Sequence, residues 1–107
     1  MSVPEIDVEA LAELHAAGAT IVDVRQPDEY EEAHVAGAIL IPLGEVQARV
    51  AEIPADGPVY VICKSGGRSM RASEWLVTQD IDATNIAGGT MAWIESGRPV
   101  VTGGAPG

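Results

Sequence analysis

One cysteine occurs in these 107 residues, Cys63, and Lys64, Ser65, Gly66, Gly67, Arg68 and Ser69 follow it directly. A thiol reacts through its thiolate, and those residue types are what a thiolate needs. Neighbouring cations, a helix N-terminus and a concave nest of backbone N–H groups all favour the charged form. Gly66 and Gly67 allow positive φ and close approach of the backbone to a ligand. No proline interrupts Cys63 to Ser69, so every residue there can donate an N–H. The competing reading is a small core hydrophobe at the end of a strand. The paired glycines and the flanking cations favour a reactive thiol. One cysteine permits no internal disulfide, no resolving thiol and no cysteine-based metal cluster, and no cofactor or metal is expected.

Charge points to the same place. The chain carries 16 acidic and 6 basic residues, a net −10, which argues against nucleic acid and anionic membrane as partners. Half of the 6 basic residues, Lys64, Arg68 and Arg71, follow the cysteine closely. Such a cluster is expected to attract an anion. With 47% hydrophobic and 21% charged residues the chain reads as globular. The expectation is one domain over residues 1–101 and a disordered tail over 102–107. Met1 to Glu5 shows no basic-then-apolar leader pattern, and no apolar run reaches membrane-spanning length. A reduced, cytoplasmic setting is expected.

The elements that must position the thiol follow from apolar patterning. Val59 to Ile62 is β-branched and apolar and reads as a buried strand ending at Cys63. A helix over Ser69 to Gln79 follows, with Ala72, Trp75 and Leu76 inward. Upstream, Asp7 caps a helix over Val8 to Ala17, with Leu11 and Leu14 inward and Gly18 as its stop. His15 in that helix is given no role. Thr20 to Val24 is a strand with Asp23 and Arg25 at its end. A short helix covers Asp28 to Ala33, and Ala38 to Ile41 is a strand closed by Pro42. Leu43 to Ile53 reads as a helix, because Val46, Val50 and Ile53 recur at i, i+4 and i+7. Thr84 to Ala87 is a strand, and Gly88-Gly89 turns into a helix over Thr90 to Glu95. Short apolar strands alternating with helices imply an α/β domain with a mostly parallel sheet. Ligands of such sheets bind beyond the carboxyl ends of the strands, where Cys63 lies.

Three segments, in order, resemble the rhodanese family of single-domain sulfurtransferases, and the resemblance runs from about Ile6 to Val101. The first is Val22-Asp23-Val24-Arg25 with Glu29-Tyr30, His34-Val35-Ala36-Gly37-Ala38 and Ile41-Pro42. The second is Cys63 to Ser69. The third is Gly88-Gly89-Thr90-Met91-Ala92-Trp93 with Gly97, Pro99 and Val100. The resemblance implies a rhodanese-like three-layer domain, a central and mostly parallel sheet flanked by helices. It implies that Cys63 accepts sulfur and that the loop Lys64 to Ser69 cradles it through N–H groups. Arg68 would close the loop and help bind an anionic donor. Asp23 and Arg25 resemble the family's supporting Asp/Arg pair. His34 resembles a histidine that holds a connection, and no base is needed where the thiol is already ionised. Trp93 reads as core. Ala33 stands where the family usually has glycine, and Tyr30 where phenylalanine is common.

The resemblance implies transfer of a sulfane sulfur from thiosulfate or a persulfide to cyanide or a thiol, through a Cys63 persulfide. The partners it implies include a thioredoxin-like or sulfur-carrier protein. Two other readings compete. A cysteine phosphatase or arsenate reductase also places a cysteine and an arginine around an anion. Four residues, Lys64 to Gly67, separate Cys63 from Arg68 here. Phosphatases resemble Cys-x5-Arg, and the shorter ring suits one sulfur better than a tetrahedral phosphate. No aspartate can be assigned as their general acid. The other reading is a non-catalytic binding or regulatory rhodanese module. Such modules often lack the cysteine that is present here.

Overall fold

The computed structural model describes residues 2–107. Its frame is a five-stranded sheet in which every strand pairing is parallel. The strands are β1 (Glu5–Ile6), β2 (Thr20–Asp23), β3 (Ile39–Leu40), β4 (Val59–Ile62) and β5 (Ala83–Ile86). Their order across the sheet is β1-β5-β4-β2-β3, which puts β4 at the centre. Parallel strands require crossovers, and helices supply them. These are α1 (Val8–Ala16), α2 (Pro27–Glu32), α3 (Gly67–Thr78) and α4 (Gly89–Glu95). Asp7 caps α1, its carboxylate accepting the Ala10 N–H at 3.0 Å.

Side chains alternate across a strand, so β4 feeds two cores. Val59, Val61 and then Cys63 point to one face, with Ala72 and Leu76 of α3 and Val22 of β2. Ile62 points to the other, with Leu11 of α1, Tyr30 of α2, Ile86 of β5 and Trp93 of α4. Helices thus cover both faces of the sheet, giving three layers. The α/β architecture expected from the sequence is present, with Trp93 in the core at 3% exposure.

Three local expectations differ. The stretch 43–53 is not one helix but two 3-10 turns, Leu43–Glu45 and Val50–Glu52. Val46 and Ile53 are still buried, so the apolar period is used without the helix. The Leu43 N–H is bonded to the Val24 carbonyl at 3.0 Å, which ties the start of the segment to the end of β2. Gly44 lowers the helical preference of the segment. Strand β1 was not expected; its two residues pair with Asn85 and Ile86 and are too short to show a period. Residues 102–107, for which the sequence predicts disorder, bond to the 31–37 segment. The Gly103 N–H reaches the Glu31 carbonyl and the Gly37 N–H reaches the Pro106 carbonyl, both at 2.7 Å. The Pro106 carbonyl also lies 3.1 Å from Nε2 of the buried His34.

Candidate active site

The chain leaves β4 at Ile62, and Cys63 is the next residue. It is 1% exposed. The turn back into α3 is made at Gly66, whose φ of 114° is a left-handed conformation that favours glycine. Gly67 is already helical, so one glycine of the expected pair carries the positive φ. This turn brings donors onto the sulfur. The Gly66 N–H lies 3.1 Å from Sγ, and the buried Ser69 hydroxyl lies 3.3 Å from it. The Ser69 hydroxyl also lies within 3.2 Å of the Gly66 carbonyl, so its single proton has two acceptors. Burial pushes the thiol pKa up, but the Ser69 hydroxyl and the N–H groups of Ser69, Gly66 and Ser65 outweigh it. The net result is a thiol more acidic than usual.

A second turn fixes the first. The Thr90 N–H donates to the Cys63 carbonyl at 2.8 Å and the Met91 N–H to the Lys64 carbonyl at 3.0 Å. With those carbonyls held, the N–H groups that follow are free to face the sulfur. A Cβ at Gly89 would stand 2.5 Å from the Cys63 oxygen, so only glycine allows this approach. That is the physical content of the Gly88-Gly89 segment.

The cations are distributed differently from the sequence expectation. Arg68 is not open to an anion: its Nη1 and Nη2 lie 2.7 and 2.9 Å from the two carboxylate oxygens of Glu29. The guanidinium hydrogen bond draws the Glu29 pKa down to about 2. The same contact raises that of Arg68, with the charges of Cys63 and Asp23 adding to it. Arg71 lines a separate cleft with Leu43, Gln47 and Trp75. Lys64 is exposed beside the loop.

Asp23 and Arg25 form a buried fork. Arg25 Nε lies 3.0 and 3.1 Å from the two Asp23 oxygens, and Nη2 lies 2.8 Å from one of them. Nη2 also donates to the Ala33 carbonyl at 2.8 Å. The pair therefore ties the end of β2 to the end of α2. His34 is buried against Tyr30, Nδ1 lying 2.8 Å from the Tyr30 carbonyl, so it fastens the α2–β3 connection rather than facing the thiol.

A cleft of about 200 Å³ opens beside the loop. Arg25, Glu29, Glu32 and Lys64 line it, together with Thr90, Met91 and Ile94. Sequence reasoning missed four of these contributions. Glu29 stood in a recognised segment, but nothing local signals that it meets Arg68. Thr90 offers a buried hydroxyl with no partner among the described residues. Met91 and Ile94 look like helix residues, yet at 41% and 47% exposure they are the exposed large hydrophobics of the described residues. No group of three His, Cys, Asp or Glu side chains that could hold a metal occurs among those residues.

Comparison with known proteins places this geometry. The rhodanese-like domain family matches residues 7–96. A sulfurtransferase of Allochromatium vinosum is 35% identical over 102 residues, which cover 92% of this chain and 95% of that protein. A putative sulfur carrier protein of Bacillus subtilis is 38% identical over 95 residues, and there the chain spans about half, 51%, of the relative's length. Among solved structures, a rhodanese-related protein of Thermoplasma volcanium superposes with a TM-score of 0.86 at 34% identity, covering 92% of this chain and 97% of that one. The chain belongs to the rhodanese-like family.

Proposed function

We propose that this rhodanese-family chain transfers a sulfane sulfur from thiosulfate or a persulfide to cyanide or a thiol, through a persulfide on Cys63. The observation that carries the reading is the set of donors around Sγ. The Gly66 N–H and the Ser69 hydroxyl lie within hydrogen-bonding reach of it. A nucleophile held as a thiolate attacks the outer sulfur of the donor. A bond forms from Sγ to that sulfur, the donor's S–S bond breaks, and sulfite or a thiolate leaves with the electron pair. Cyanide or a thiolate then attacks the outer sulfur and restores the Cys63 thiolate.

The loop Lys64 to Ser69 is the cradle in this reading, and N–H groups that stabilise the thiolate also suit a persulfide anion. Asp23 and Arg25 act through position, holding the β2 end beside the cleft. A small or protein thiol, including one on a sulfur-carrier or thioredoxin-like protein, is the acceptor class. A reducing compartment such as the cytoplasm suits a solitary thiol.

The test is to incubate the reduced protein with thiosulfate, and separately with inorganic polysulfide, and to record intact mass. The expected result is a gain of one sulfur, removed by cyanide as thiocyanate, and neither event in Cys63→Ser. A serine variant with undiminished turnover would overturn the covalent mechanism.

A further inference from the structure

The cleft beside the cysteine loop, lined by Lys64, has a composition that fits one class of sulfur donor better than the other. Its charges cancel. Arg25 is neutralised by Asp23, and Glu29 is neutralised by Arg68. Lys64 and Glu32 remain, one of each sign. An inorganic dianion such as thiosulfate finds no surplus positive charge there, on a protein whose net charge is −10. The rest of the lining is amphipathic. Met91 and Ile94 hold apolar surface in solvent at the cleft. Scattered exposed apolar side chains need no explanation, but these two share a cleft with Lys64, the residue that follows the nucleophile. Thr90, 1% exposed as a residue, adds a buried hydroxyl that has no partner among the described residues, and its N–H is bonded to the Cys63 carbonyl. A buried polar group without a partner is a place for a ligand hydrogen bond.

We propose that this cleft binds the carbon arm of a small organic persulfide, an apolar skeleton bearing one hydrogen-bonding group, against Met91, Ile94 and the Thr90 hydroxyl. The cleft of about 200 Å³ is smaller than the roughly 300–1,000 Å³ of pockets for drug-sized ligands, so the arm is short. The proposal rests on the sulfur-transfer reading and selects its donor. The Cys63 thiolate attacks the outer sulfur of R–S–SH, the S–S bond breaks, and R–S⁻ leaves with the electron pair. The outer sulfur and its proton stay on Cys63. The reverse step seats a thiol R–SH in the same cleft, so acceptors report on it.

The experiment loads Cys63 of the full chain with inorganic polysulfide, removes the excess, and follows sulfur loss by intact mass. Acceptors are ethanethiol, 1-butanethiol, 2-mercaptoethanol and cyanide. Two added methylenes, each half buried, are expected to make butanethiol about fourfold faster than ethanethiol. In Met91→Ser/Ile94→Ser, whose changes are at exposed positions, that ratio should fall to near one. In Thr90→Val, which keeps the shape, the ratio of 2-mercaptoethanol to ethanethiol should fall severalfold. A chain that takes no sulfur onto Cys63 contradicts the underlying reading as well. A chain that loads, but whose wild-type butanethiol to ethanethiol ratio is one or survives the double substitution, overturns this inference alone.

Discussion

Two arginine–carboxylate pairs stand within the same site, and they differ in depth. Asp23–Arg25 is closed from water, with side-chain exposures of 0% and 7%, and its spare Nη2 proton is taken by a backbone carbonyl. Glu29–Arg68 is bidentate as well, but its side chains are 27% and 34% exposed. The chemistry of the two contacts is alike and their consequences are not. A buried pair must remain whole, because removing one partner leaves a charge in a poor solvent. A half-exposed pair can open at modest cost, since water takes over. Asp23–Arg25 is thus a strut between β2 and α2. Glu29–Arg68 is a clasp across the cysteine loop, holding in reserve the cation expected to meet the donor.

The largest expected effect breaks the strut. Asp23→Ala should lower stability by about 3–5 kcal/mol, the range for an orphaned buried charge, and the thermal midpoint should drop by more than 10 °C. Glu29→Gln should lower it by about 1 kcal/mol or less. If both variants melt alike, the distinction by burial fails. Glu29→Gln should also free Arg68, so that thiosulfate loads Cys63 severalfold faster and with steeper salt dependence, read from the second-order rate constant at two ionic strengths. An unchanged rate would mean that Arg68 has no part in meeting the donor even when released.

A smaller effect appears in acid. The Glu29 pKa is drawn from 4.5 to about 2 in the folded chain. A depressed carboxylate pKa stabilises the fold above the unfolded value, and that contribution is lost as pH falls through the folded one. The wild type should therefore lose its advantage over Glu29→Gln between pH 4.5 and about 2, a difference of about 1 kcal/mol after solvent screening. Denaturant midpoints at stepped pH measure it, and a gap constant over that window would contradict it. The smallest effect belongs to Lys64, which is exposed and forms no ion pair among the described residues. Lys64→Ala should slow thiosulfate loading about twofold at low salt and leave it unchanged at high salt.

The features legible in the sequence are local ones. The run Val59 to Ile62, the glycines after Cys63 and the spacing to Arg68 lie within one strand–turn–helix unit, whose geometry neighbouring residues decide. What stayed hidden is set by residues distant in the chain. The partner of Arg68 is 39 positions away, and no charge pattern on α3 announces it. Arg71 stands three positions after Arg68, a spacing that sets both near one helix face, yet it lines a cleft with Leu43 and Gln47, which lie far from it in sequence. The 43–53 segment shows a helical period, yet it folds as two 3-10 turns, Leu43–Glu45 and Val50–Glu52. Gly89 could be read as a turn residue, but its need to be glycine comes from the Cys63 carbonyl across the site.

The central claim is that N–H groups and the Ser69 hydroxyl in the turn after β4 make the Cys63 thiol more acidic and so favour its thiolate. Its most direct test is the rate of alkylation by iodoacetamide as a function of pH, on the reduced wild type and on Ser69→Ala. The account expects a wild-type midpoint below the ordinary thiol value of about 8.5, and a higher midpoint in the variant. A wild-type midpoint at or above that value, or one that Ser69→Ala leaves in place, would contradict it.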